Sequence, residues 1–212
     1  MILVLPLARL IFDVCCFFNT MYCFVFGFLL WVVFMKIITI KRPSFLSKDY
    51  YVSINGTLAY TSTVKFTLKD PQEIVLNPTG NQPTITMKPV GGKTGYGERA
   101  EYALHKGGTE EFGFLVIEGR VNPTIRLLDA KRTELGVITE KSKIYSIIRT
   151  FSKKILPNYY TCKNNARVVF KASEVYTPIL CRVKIQLDPS TPSEMDDFAI
   201  CSGLWIACTP SW

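Results

Sequence analysis

The chain has 212 residues, 48% of them hydrophobic, with 25 Lys and Arg against 17 Asp and Glu, a formal net charge of +8. Enough apolar residues are present to fill a core, which excludes a disordered chain, and the composition is not that of a collagen. The mean hydropathy of +0.19 argues against a fully soluble enzyme, because the apolar excess is concentrated in residues 1–40, whose only charged side chains are Arg9, Asp13 and Lys36.

The first expected element is a membrane anchor over 1–40. Val14 to Met35 runs 22 residues without a charge. About 20 apolar residues, rising 1.5 Å each, span a hydrocarbon core, so a transmembrane helix is expected over about 14–35. A cleaved secretory signal is the competing reading. The run is longer than an h-region, and Lys36, Lys41 and Arg42 follow it instead of a small-x-small cleavage site. The basic excess on the C-terminal side sets the large domain on the cytoplasmic or mitochondrial-matrix side of a single-pass protein. Asn19, Thr20, Gly27 and three cysteines suit the helix to packing on others. Membrane lipids and integral membrane proteins are therefore the expected partners.

Residues 41–50 read as a juxtamembrane linker, with Lys41-Arg42-Pro43 ending the anchor helix. From 51 to 212 the pattern becomes that of a β-rich domain. Tyr50–Ile54 and Thr57–Tyr60 flank Asn55-Gly56, the preferred two-residue hairpin turn. Further strands are expected at 63–68, 73–76, 84–87, 113–118, 124–128, 134–139, 143–148, 166–171 and 180–187, with a glycine-rich loop over 91–108. Short strands at this spacing predict a mainly-β barrel or sandwich. The C-terminus differs: Ser193 as N-cap and Asp196-Asp197 in a first turn predict a helix over about 194–208. That helix is apolar on nearly every side and must be buried in protein, Leu204, Trp205 and Ile206 included.

Three C-terminal stretches carry a resemblance. Leu127-Leu-Asp129 through Gly136-Val-Ile is similar to a strand–turn–strand hairpin, with four residues between Asp129 and Glu134. Arg182-Val-Lys-Ile-Gln-Leu-Asp188 is similar to a final strand, and Asp196 to Cys208 to an acidic entry followed by an apolar core helix. Together they resemble the tubby C-terminal superfamily, which includes the LURP-one-related proteins and the phospholipid scramblases. The resemblance implies a twelve-stranded barrel around the C-terminal helix. By analogy it also implies contact with phosphoinositides or anionic membranes.

No complete catalytic or cofactor motif is found, and no cofactor is expected. Gly91-Gly-Lys-Thr94 ends like a phosphate-binding loop, but Met87 stands where the pattern needs its first glycine. His105 is the single histidine; in a glycine-rich, charged stretch it reads as a loop residue, with a hydrolase role the minor alternative. Cys162, Cys181, Cys201 and Cys208 form no C-x-x-C pair, which argues against zinc and leaves two disulfides open if the domain faced outward. Asn55-Gly-Thr57 is a formal glycosylation sequon as well as a turn. Charge is more informative. From Lys141 to Ser173 there are eight bases and no acid: Lys141, Lys143, Arg149, Lys153, Lys154, Lys163, Arg167 and Lys171. With interleaved aromatics, that block reads as a solvated face, or as a surface for anionic lipid or an acidic partner. Nucleic acid is not expected beside a membrane anchor. A non-enzymatic accessory or scaffold subunit of a membrane complex is the expected function, with an anionic-lipid-binding module as the alternative.

Overall fold

A closed ring of twelve antiparallel strands surrounds one helix in the computed structural model, which describes residues 35–44, 47–64, 72–91, 99–119, 123–140, 158–176 and 181–208. The strands are β1 (Lys36–Arg42), β2 (Asp49–Ile54), β3 (Thr57–Thr63), β4 (Ile74–Pro78), β5 (Ile85–Gly91) and β6 (Ala100–Lys106). They continue with β7 (Glu110–Glu118), β8 (Thr124–Asp129), β9 (Glu134–Glu140), β10 (Asn158–Asn164), β11 (Arg167–Tyr176) and β12 (Cys181–Leu187), and α1 (Met195–Cys208) follows. Each strand pairs with its sequence neighbours. β1 closes the ring on β12, from Lys36↔Leu187 to Arg42↔Cys181. Closure gives each described strand a neighbour on both sides, which removes the free edge strands that an open sheet has to manage otherwise.

Period two decides which side chains fill the ring. Ile38 and Ile40 of β1, Ile125 and Leu127 of β8, and Val183, Ile185 and Leu187 of β12 are buried, while Lys41, Arg126 and Arg182 between or beside them are exposed. Helix α1 occupies the interior. A Cβ on Gly203 would lie 2.5 Å from Ile185 Cδ1 and 2.8 Å from Ile40 Cδ1, on β12 and β1. A Cβ on Gly113 of β7 would lie 2.6 Å from Phe198 Cζ. β1 and β7 stand opposite each other in the ring, so a helix that touches both runs through the lumen. Its acidic first turn is fastened at the rim: Lys36 Nζ donates to Asp196, and Lys106 Nζ donates to Asp197 Oδ2 at 2.6 Å.

The two ends of the ring differ. The connections after β2, β6, β8 and β10 are turns of two to four residues, with Asn55 (φ 50°) and Gly56 (φ 85°) forming the expected hairpin turn. Asn55 Oδ1 accepts a hydrogen bond from Ile37 N at 2.9 Å, so this side chain serves the turn. Segment 141–157 joins β9 to β10 at the other end.

The barrel, rather than the sandwich, is the observed architecture, and α1 ends where expected. Residues 36–50 correct the expected boundaries: they hold all of β1 and the start of β2, not anchor and linker. Lys36-Ile-Ile-Thr-Ile-Lys-Arg alternates in burial, but its period merges into the apolar run before it. β6 lies within the expected loop 91–108, with Ala100, Tyr102 and Leu104 buried, so His105 sits on a strand. β10 was not anticipated; Asn158, Tyr160 and Cys162 are its inward residues. Trp205 is half-buried against the core, unlike the buried Leu204 and Ile206. The expected transmembrane helix over 14–35 and the strand over 143–148 lie outside the described residues. Among the described residues, no helix is long and apolar enough to cross a membrane.

Candidate functional site: the outer wall of the barrel

The lumen offers little reactive chemistry. Burial pushes the Cys162 thiol up to about 12. It also raises Cys201, with the Asp197 charge adding to it. Tyr60 rises to about 12 through burial, helped by Asp197 and Cys201; Tyr102 rises to about 12 through burial, helped by Cys208. These groups stay protonated near neutrality, and a protonated thiol is a poor nucleophile and metal ligand. Cys162, Cys201 and Cys208 are free thiols. Among the described residues, no three His, Cys, Asp or Glu side chains converge to hold a metal. His105 stands between Thr86 and Glu111 on neighbouring strands, and its Nδ1 is buried without a hydrogen bond.

The outer wall is more distinctive. Over β6 to β9, arginines and glutamates alternate in one connected network. Arg132 Nη2 contacts Glu101 Oε1 at 2.7 Å, and Arg99 Nη2 reaches Glu101 Oε2 at 3.6 Å and, through Nε, Glu118 Oε1 at 3.9 Å. Arg126 joins Glu118 and Glu134, each at 3.4 Å. Three positive and three negative side chains cancel. Beneath them lie outward-facing apolar residues that are nonetheless buried: Phe114, 5% exposed, and Val116. The Arg132 guanidinium sits 4.3 Å from the Phe114 ring centroid, a cation–π contact that also covers the ring.

The wall from β10 through β11 and β12 to β1 is built otherwise. Its outward positions include Lys163, Lys171, Arg182, Lys184 and Lys41; all are exposed except the partly covered Lys184. Glu174 is the one acid in these four strands; it is buried, and its Oε2 accepts from Asn158 Nδ2. None of the five bases has an ion-pair partner among the described residues. Lys41 stands directly opposite Arg182, and like charges so placed repel. Tyr51, 39% exposed, adjoins Lys41 on β2, and Tyr159, 52% exposed, lies on β10.

Only part of the expected basic block belongs to this wall. Lys163 and Lys171 do. Arg167, at the β10–β11 turn, is neutralised by Asp188 at 3.5 Å. Lys141, Lys143, Arg149, Lys153 and Lys154 lie outside the described residues. Tyr160 pairs with Glu140, so Lys163 stands three residues further along β10, about 10 Å from the level at which 141–157 departs. Counting bases along the chain missed Lys41, Arg182 and Lys184, which come from strands distant in sequence. The alternation Arg182-Val-Lys-Ile was a signal for two of them. Compared with known protein families, curated proteins and solved structures, the chain finds no match.

Proposed function

We propose that the protein is a non-enzymatic module, tethered to a membrane through residues 14–35, that acts as an accessory or scaffold subunit of a membrane protein complex. The observation that carries this reading is the division between lumen and wall. The interior is filled by α1, with Gly203 and Gly113 bringing helix and wall into contact, and its thiols and phenols are held protonated. Recognition is then left to the outer surface, where the β10–β1 wall exposes bases that nothing on that wall neutralises. Kinship with the tubby-like superfamily belongs to the same proposal; twelve closed strands around a C-terminal helix support it. Native membranes extracted with mild detergent provide the test. Comigration of the full chain with other integral proteins on a native gel is expected, and a monodisperse protein alone in every detergent overturns the reading.

A second reading, an anionic-lipid-binding module, is favoured by the exposed Lys163 and Lys171 and by the acid-free sequence of 141–157. Charge reversal at Lys153 and Lys154 is expected under that reading to weaken flotation with vesicles rich in phosphatidylserine. Unchanged flotation removes it.

A further inference from the structure

The bases of the β10–β1 wall form a line. Arg182 and Lys41 are level, being cross-strand partners on β12 and β1. Lys184 follows two residues along β12. Lys171 on β11 pairs with Gln186, two residues further on. On β10, Thr161 is level with Lys171, and Lys163 comes two residues beyond it. Each step toward β10 moves at most one strand sideways, about 4.8 Å, and two residues along, about 6.7 Å. The stripe descends the wall for roughly 25 Å by the same spacings. Neutral Thr39, Ser173, Gln186 and Thr161 flank it.

The geometry points to an extended acidic polypeptide segment, carrying an acid at every second residue, as the occupant of this stripe. The inference deepens the accessory-subunit reading and rests on it. An extended chain repeats its side chains on one face every two residues, about 6.7 Å, within the roughly 5–8 Å between successive bases along the stripe, a range that flexible Lys and Glu side chains span. A bilayer presents a plane, whereas these bases turn around a convex wall over four strands of twelve. A single-stranded nucleic acid needs aromatic rings along its track to stack bases; Tyr51 stands at one end of the stripe and Tyr159 lies off it. Within residues 1–212, no segment outside the described residues is acidic enough to be that occupant. Those segments hold at most one acid each: Asp13, Asp70 and Glu98.

The test uses the full chain in neutral-lipid nanodiscs and a fluorescein-labelled decapeptide in which glutamate and threonine alternate, followed by anisotropy. Saturable, salt-sensitive binding is expected. The double variant Lys171→Gln/Lys184→Gln is expected to lose at least tenfold, while Lys131→Gln, an exposed base off the stripe, changes binding less than twofold. A decapeptide of the same composition and charge, with all its glutamates in one block and its threonines in the other, is expected to bind several-fold more weakly. Equal loss from Lys131→Gln, equal binding of the blocked peptide, or tighter binding to phosphatidylserine vesicles or to a ten-residue oligothymidine each overturns the inference. If the double variant still comigrates with its membrane complex as the wild type does, the stripe is not the docking site although the accessory-subunit reading stands. Absence of any complex for the wild type strikes that reading instead.

Discussion

Two walls of one barrel treat charge in opposite ways. Over β6 to β9, every arginine described has a glutamate, and the network Arg132–Glu101–Arg99–Glu118–Arg126–Glu134 covers Phe114 and Val116. Over β10 to β1, the outward bases Lys163, Lys171, Arg182, Lys184 and Lys41 meet no acid among the described residues, and Lys41 faces Arg182 across the strand pair. The first arrangement serves folding: long side chains shield apolar surface, and their charges cancel. The second opposes folding slightly, since like charges directly opposite cost stability. A feature that weakens the fold and is undone by no neighbour belongs to something outside the fold. If that division holds, lesions in the first wall reduce stability and lesions in the second improve it.

The largest expected effect tests the structural wall. Phe114→Ala removes a ring that is buried although it faces outward. Truncating a buried Phe costs about 3 kcal/mol, a large share of the roughly 5–15 kcal/mol that holds a domain. A urea-unfolding midpoint close to that of the wild type would mean that the network covers nothing of consequence.

How much of this was legible in the sequence follows from where the signals are local. The Asn55-Gly56 turn, the alternation in β7, β8 and β12, and the acidic start of α1 lie within a few residues of each other and were readable. β6 was hidden because Tyr102-Ala-Leu104 places a small apolar residue, Ala103, at an outward position where a polar one marks the period; Ala103 is buried. β1 was hidden because its two inward isoleucines continue an apolar run. Lys163 and Lys171 lay in the expected basic block and Arg182 and Lys184 in an alternating strand, but the alignment of these bases with Lys41 into one stripe was not readable. It depends on register, which brings Lys41 beside Arg182 across 141 positions of sequence, and register is set by ring closure rather than by any local pattern.

A second prediction probes the junction between the walls. Cys162 of β10 packs on Gly136 of β9, where an added Cβ would lie 3.0 Å from its Sγ. Its thiol stays protonated in the folded chain up to about 12, against an ordinary 9.0. The unfolded chain releases the proton near pH 9, so this stabilisation is complete below pH 9 and is lost as pH rises from 9 to about 12. At pH 10 the loss is on the order of 1 kcal/mol for this group alone. Urea titrations at pH 7, 9 and 10 check it; Cys162→Ala is expected to flatten the decline, and an unchanged slope would place the alkaline sensitivity elsewhere.

Arg132 offers a smaller and more pointed test. Its backbone is left-handed (φ 63°), an unusual conformation for a residue with a side chain. The side chain bonds Glu101 and covers Phe114. Arg132→Ala keeps the backbone strain and loses both contacts, with an expected cost of about 1 kcal/mol. Arg132→Gly relieves the strain and is expected to cost less. If glycine proves equal to or worse than alanine, the turn conformation is not what Arg132 strains against.

The smallest effect has the opposite sign, and it separates the two walls most cleanly. Lys41→Glu replaces a repulsive cross-strand pair with an attractive one facing Arg182, a change worth about 0.5 kcal/mol for an exposed pair. The variant is expected to be slightly more stable than the wild type while losing affinity for an alternating acidic peptide. Salt provides the internal control, since exposed charges are screened over about 10 Å at 0.1 M. Raising potassium chloride from 20 to 500 mM is expected to lift the wild-type melting temperature by relieving repulsion, and to narrow the advantage of the variant. In the β6–β9 wall, Glu118→Lys is expected to do the reverse, because it turns a network that cancels into one that repels. A Lys41→Glu protein less stable than the wild type at low salt would show that Lys41 is held by the fold after all, and the contrast between the walls would disappear.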